Sequence, residues 1–216
     1  MVTRLRQLTI AGPAGALEGA LQEREGRPHA LTAVVCHPHP SYGGTLHNKV
    51  VHRVASTLHE LGAEVLRFNF RGVGSSEGAY DEGRGELEDA RAAVRWMRER
   101  FPGARTWLAG FSFGSWVAAR LAASDPAIER LILVAPPVKR SGFEVLRHCP
   151  VPKLVIQGLA DATCPPGDLE REFPSWADPK TLIRIPDASH FFDRQLRALG
   201  HALEQALGEA ARGTAR

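Results

Sequence analysis

Two stretches of this sequence set a serine between small residues at a spacing that could present a nucleophile: Gly74-Ser75-Ser76-Glu77-Gly78 and Gly110-Phe111-Ser112-Phe113-Gly114. Such a serine needs a sharp strand-to-helix turn, where crowding tolerates only small flanking residues and a helix N-terminus follows. Thr106-Trp107-Leu108-Ala109 reads as the strand and Ser115 to Ala123 as the helix, so the context selects Ser112. Ser76 follows its strand only after a loose glycine-rich loop, and Glu77 would set a negative charge where an oxyanion must form.

A serine hydroxyl attacks poorly until an imidazole takes its proton. Nine histidines compete for that role. His29 and His201 read as surface residues, His47, His52 and His59 fall on the first helix, and His148 lies in a short loop before Pro150. His190 follows the last strand through Pro186-Asp187-Ala188-Ser189 and precedes a helix, which gives it reach over the turn; His37 and His39 are its rivals. The imidazole in turn needs a carboxylate on Nδ1 to fix its tautomer. Asp161, closing Gln157-Gly158-Leu159-Ala160-Asp161, is the expected partner, and Asp168 is the nearest alternative. Asp187 stands too close to His190 along the chain to reach round its ring.

The oxyanion must be met by preorganised donors: the backbone N–H after the nucleophile, here Phe113, and one from the loop after the first parallel strand. In His37-Pro38-His39-Pro40 the prolines carry no N–H, so His39 is the expected second donor. His37 and His39 also have the spacing of a metal pair, but no convincing set of further ligands accompanies them, and neither a metal nor a cofactor is expected. Arg71-Gly72-Val73-Gly74 begins like a dinucleotide fingerprint, yet Glu77 occupies the third glycine position and no P-loop lysine follows. That loop reads as structural, with Arg71 bracing neighbouring turns.

These residues need a frame that gathers loop ends. Apolar runs at 31–36, 64–70, 105–109, 131–134, 154–157 and 181–185 read as six strands. Val50, Val54, Leu58 and Leu61 make a helical stripe that Gly62 stops; Leu87, Ala90, Val94 and Met97 make a second, and Leu196, Leu199, Leu203 and Leu207 a last one with Asp193 as a plausible N-cap. Alternating strands and helices require βαβ units, and so a mostly parallel twisted sheet with helices on both faces. Ligands bind such sheets beyond the carboxyl ends of the strands, which is where these loops fall. Gly12, Pro13 and Gly15 break the uncharged stretch Leu8 to Leu17, so the N-terminus reads as a strand-turn-strand hairpin rather than a secretory leader.

A length of 216 residues suits one domain over 1–216, and 44% hydrophobic against 24% charged residues allows a real core. The net charge of +3 does not mark a nucleic-acid stripe, because Arg91, Arg95, Arg98 and Arg100 alternate with Glu88, Asp89 and Glu99 as on a solvated helix face. No apolar window reaches a membrane span, and three scattered cysteines, Cys36, Cys149 and Cys164, suit reduced thiols in the cytoplasm.

The sequence resembles the α/β-hydrolase superfamily over nearly its whole length, and its order of Ser112, Asp161 and His190 is the order used there. Cys36-His37-Pro38-His39-Pro40, then Gly43-Gly44-Thr45 and Asn48-Lys49-Val50-Val51, with Phe68-Asn69-Phe70-Arg71-Gly72-Val73-Gly74, is similar to compact lidless bacterial hydrolases and carboxylesterases related to dienelactone hydrolases. The resemblance implies a serine carboxylesterase with its triad at Ser112, Asp161 and His190 and an oxyanion hole at His39 and Phe113. Dienelactone hydrolases proper carry a cysteine where this chain has Ser112, which argues against that lactone chemistry.

Caps in this fold are commonly inserted after the strand ending near Val134, but 135–149 is too short for a helical one, so no cap domain and an open pocket are expected. Tyr42, Phe111, Phe143 and Phe191 are candidate substrate-binding residues, with Phe113, Trp116 and Phe192 as further aromatic candidates. An open, apolar-walled pocket favours small esters with short acyl groups. Peptidase, thioesterase, amidase and acyltransferase chemistry would use the same triad, and a non-catalytic small-molecule binder is the other class. Monomer and homodimer both fit the sequence.

Overall fold

The computed structural model describes residues 3–24 and 29–213. The chain opens with an antiparallel hairpin, β1 (Thr3–Gly12) and β2 (Gly15–Arg24), turned at Pro13 and Ala14. Six strands follow: β3 (Leu31–Cys36), β4 (Glu64–Phe68), β5 (Arg105–Phe111), β6 (Ile128–Val134), β7 (Lys153–Gly158) and β8 (Lys180–Ile185). They join the hairpin in one eight-stranded sheet of order β1-β2-β4-β3-β5-β6-β7-β8. All neighbours from β4 to β8 run parallel, and β2 meets β4 antiparallel. This is the α/β-hydrolase fold.

The six apolar runs become strands because both faces of the sheet are covered, so alternate side chains feed two cores. Leu31, Ala33 and Val35 of β3 join Trp107, Ala109, Ile132, Leu154 and Ile156 on one face. There they meet α1 (Lys49–Glu60) through Val50, Val54 and Leu58, and α5 (Leu196–Arg212) through Leu199, Leu203 and Leu207. Val34, Leu66, Leu108, Leu131, Leu133 and Val155 point the other way, against α2 (Arg84–Arg100) and α3 (Phe113–Ser124).

Local chemistry sets most boundaries. The Asn48 side chain accepts from the Val50 N–H at 2.9 Å and caps α1, which leaves His47 outside that helix. A short α4 (Pro166–Glu172) arises where the sequence showed only a turn, since Pro166 at the first helical position gives up an N–H that would have no intrahelical partner there. α5 begins later than expected: its N-cap is Gln195, while Asp193 bonds Lys49 and Ser189 instead. Asp89 departs from the solvated-face reading of α2, being fully buried in its contact with Arg71. Residues 135–149 contribute only a 3-10 turn, Glu144–Arg147. No helix among the described residues is long and apolar enough to cross a membrane.

Candidate active site

β5 runs straight into α3, and Ser112 at the joint has φ 51° and ψ −119°, a left-handed backbone that a side chain adopts only under constraint. The constraint is crowding. A Cβ on Gly110 would lie 2.1 Å from the Gly114 carbonyl oxygen, and one on Gly114 would lie 2.3 Å from that of Cys36. With glycine at both positions the turn closes: the Ser112 N–H donates to Val134 O at 2.9 Å, and Ser112 O accepts from the Ser115 N–H at 2.8 Å. Ser112 is the N-cap of α3, so its hydroxyl stands where first-turn N–H groups, Phe113 among them, have no intrahelical acceptor and the helix dipole favours negative charge.

His190 comes from the β8–α5 loop. The Ala160 N–H donates to Ala188 O at 3.0 Å, tying that loop to the one after β7. The His190 ring rests on Phe111, centroids 5.1 Å apart, with Phe191 edge-on at 5.2 Å. Its Nδ1 lies 2.8 Å from Asp161 Oδ2 and its Nε2 lies 3.0 Å from Ser112 Oγ. A carboxylate only accepts, so Nδ1 carries the proton and Nε2 is left to accept from the serine hydroxyl. Asp161 is fixed in turn: Oδ1 accepts from the N–H groups of Thr163 at 2.9 Å and Cys164 at 2.7 Å, and Oδ2 accepts from the Gln157 amide at 3.2 Å.

The hydroxyl opens into a cleft of about 220 Å³ lined by Pro38, His39, Tyr42, Asn48, Thr163 and Phe191, among others. His39 stands at its wall after β3, with its ring 4.9 Å from that of Phe113. A larger hollow of about 660 Å³ lies against Ser124, Ile128 and Val151, where β6 and β7 begin. That is the edge of the sheet opposite the strand ends that carry Ser112, Asp161 and His190, so it is not the reactive cleft.

The rival readings fall to specific contacts. Ser76 is buried; its hydroxyl donates to Asn69 O at 2.8 Å and accepts from the Glu18 N–H at 2.9 Å, which spends it on holding a turn. His37 is fully buried, with Nδ1 donating to Pro38 O at 2.6 Å and Nε2 accepting from the Phe70 N–H at 3.0 Å. Both its nitrogens are taken, and burial lowers its pKa to about 4, so it is neither a base for Ser112 nor half of a metal pair. Asp168 pairs with Lys139 and Arg171. Arg71 donates from Nε and Nη2 to the two oxygens of Asp89 at 2.9 and 2.7 Å, bracing its loop against α2.

Two aromatic expectations need correction. Phe143 is a core residue, 1% exposed and stacked on Trp176, because the short 135–149 segment folds inward over α3. Phe111 does not line the cleft either; as the last residue of β5 its ring lies under the His190 imidazole, and it is fully buried. Trp116 and Phe192 are core as well. Tyr42 and Phe191 remain at the cleft and are exposed. Asn48 and Thr163 also line it without having been singled out as pocket residues; the available signal was position, Thr163 standing two residues after Asp161 and Asn48 within the run that carries the resemblance. Asp161, Cys164 and His190 offer donor atoms within 4.8 Å of one another. Burial and the nearby Asp161 push the Cys164 thiol up to about 12, so it is a poor source of the thiolate that a metal would need.

A serine on a strained strand-to-helix turn, met by an imidazole and a carboxylate from later loops of a mostly parallel sheet, defines the serine hydrolases of α/β-hydrolase fold. Residues 31–143 match the family described as serine aminopeptidase, S33, and the chain belongs to that family. It is 41% identical to a lidless α/β serine hydrolase of Xanthomonas campestris, whose structure superposes with a TM-score of 0.90 over 100% of this chain and 99% of that one. An α/β serine hydrolase homologue of Coxiella burnetii is 40% identical, with a TM-score of 0.91 over 96% of this chain and 99% of the other. An uncharacterised protein of Rickettsia prowazekii is 36% identical over 210 residues, 93% of this chain and 88% of that protein.

Proposed function

We propose that this hydrolase cleaves small carboxylic esters with short acyl chains, with Ser112 as nucleophile, His190 as general base and Asp161 as the orienting carboxylate. The observation that carries the reading is the continuous pair of contacts from Asp161 to His190 at 2.8 Å and from His190 to Ser112 at 3.0 Å. Ser112 Oγ attacks the ester carbonyl carbon while His190 Nε2 takes its proton. The carbonyl electrons move onto oxygen, which the N–H groups of Phe113 and His39 receive. When the ester C–O bond breaks, His190 returns the proton to the departing alkoxide and an acyl-serine remains. Water then attacks that acyl carbon with His190 again as base, the bond to Ser112 Oγ breaks as His190 returns the proton to that oxygen, and the carboxylic acid leaves.

The size of the cleft supports short acyl chains: about 220 Å³ falls below the ~300–1,000 Å³ typical of pockets that enclose a drug-sized ligand. A second reading, peptide hydrolysis, draws on the family's description. An aminopeptidase must hold the substrate's terminal ammonium, yet no carboxylate side chain is among the described residues that line the cleft. Three buried, unpaired cysteines suit a reducing cytoplasm, where we place the enzyme.

A fluorophosphonate probe is expected to label Ser112, and Ser112→Ala to abolish ester turnover; an unlabelled serine or an unchanged rate overturns the reading. Rates on matched ester, thioester and amide substrates separate the hydrolase classes, and a p-nitrophenyl ester series is expected to peak at short acyl chains.

A further inference from the structure

The His39 ring is held by its own loop, through Ser41 and Tyr42, and from outside it by Tyr80 and Phe113. Its Nδ1 accepts from the Ser41 N–H at 3.2 Å, so the proton sits on Nε2, which lies 3.1 Å from the Tyr80 hydroxyl and donates to it. Burial and the Arg140 guanidinium lower the His39 pKa, which keeps the ring neutral at pH 7 and this tautomer available. The ring also packs, tilted, against those of Tyr42, Tyr80 and Phe113, with centroids 4.7, 5.0 and 4.9 Å away.

Tyr80 is itself held from the far side. It precedes a turn whose Asp81 and Gly83 N–H groups donate to the two carboxylate oxygens of Glu86 at 2.9 and 2.7 Å, and Glu86 is fully buried in the first turn of α2. A rigid helix end on one face of the sheet is thereby connected to the loop after β3. Tyr80 is half-buried and is not among the residues that line the cleft.

We propose that Tyr80 is a positioning residue for the oxyanion hole: its hydroxyl, accepting from His39 Nε2, fixes the His39 ring and through it the direction of the His39 backbone N–H. The proposal rests on the esterase reading above and adds to it a residue outside the triad. A donor aimed where negative charge develops acts on the transition state more than on bound substrate, so loosening it lowers kcat and leaves KM nearly unchanged.

The test is Tyr80→Phe, which keeps the ring packed on His39 and Phe113 and removes the hydroxyl, with its contacts to His39 and to Arg140. With p-nitrophenyl acetate, kcat is expected to fall by about three- to tenfold, the worth of one hydrogen bond, with KM within about twofold. In a His39→Ala background, where the ring is gone, Tyr80→Phe is expected to have no further effect. An unchanged kcat in the single variant, or an undiminished loss in the His39→Ala background, overturns the proposal. Imidazole ¹⁵N spectra give a readout independent of turnover and of whether the double variant folds. His39 is expected as the Nε2–H tautomer in both proteins, because the Ser41 N–H still occupies Nδ1, with its Nε2 resonance shifted in Tyr80→Phe where the acceptor is gone, and identical His39 signals in both sink the idea. Retained ester turnover in Ser112→Ala would instead sink the esterase reading, so the two failures are distinct.

Discussion

At the scale of single residues, Asp161 illustrates how little freedom a buried acceptor has. Each neighbour that touches it is a donor: His190 Nδ1, the Gln157 amide and the N–H groups of Thr163 and Cys164. Asp161→Asn would turn one oxygen into an NH₂ group. With its remaining oxygen kept by the Thr163 and Cys164 amides, the new donor faces His190 Nδ1, forces the proton onto Nε2 and removes the acceptor for Ser112. The expected loss in kcat is ~10⁴-fold with little change in KM, as for the corresponding change in a serine protease triad, and steady-state kinetics check it. Position 39 offers a cleaner test of the proposed oxyanion donor. His39 has φ −55°, a value a proline ring adopts, so His39→Pro can remove the N–H without imposing a new φ. His39→Ala keeps the N–H and loses only the ring. If the N–H is a donor, the proline variant is expected to turn over ~10²–10³-fold more slowly than the alanine variant, read as kcat on one ester.

At the scale of elements, the elbow is a packing problem between β3, β5 and α3. Gly114 in the first turn of α3 faces the Cys36 and His37 carbonyl oxygens, where a Cβ would come to 2.3 and 2.5 Å. Gly114→Ala therefore pushes α3 off β3. Its expected cost is about 1–3 kcal/mol or more in urea denaturation, together with a fall in turnover as the Phe113 N–H moves with the helix. A retained midpoint would show that the helix can slide at no cost. Elements differed in how readily the sequence showed them. Strands buried on both faces and helices with a continuous apolar stripe declare themselves, because burial dictates residue type at a fixed period. Their ends did not: β4 stops at Phe68, β6 starts at Ile128, and α5 is capped at Gln195 while Asp193 turns to Lys49. Such ends are set by contacts with residues far away in the chain.

At the scale of the whole molecule, a buried neutral imidazole couples folding to acidity. His37 has a pKa of about 4 when folded, against an ordinary 6.5 when exposed, so between those values the unfolded chain binds the extra proton. Stability from this group is fully present above about pH 6.5 and is lost as pH falls toward 4, a drop on the order of 3 kcal/mol. Urea denaturation at pH 7.0 and 4.5 is expected to show the fall, and His37→Gln a shallower one, whatever its stability at neutral pH. An equal slope in both would place the acid sensitivity elsewhere.

The sequence by itself determined the layered α/β architecture, the hairpin ahead of it and the segment forming the serine turn, because these depend on local periodicity and on glycines at Gly110 and Gly114 that a strand-to-helix joint demands. It also narrowed the acid and base to residues in post-strand loops. Only the tertiary structure decided which side chains meet. It set His190 over Ser112, spent His37 and Ser76 on buried backbone groups, drew Phe143 into the core and slid Phe111 under the imidazole. An aromatic residue near a reactive loop gains about the same free energy by covering a core as by lining a cleft, so its type cannot say which it does. The packing of distant strands and helices chooses.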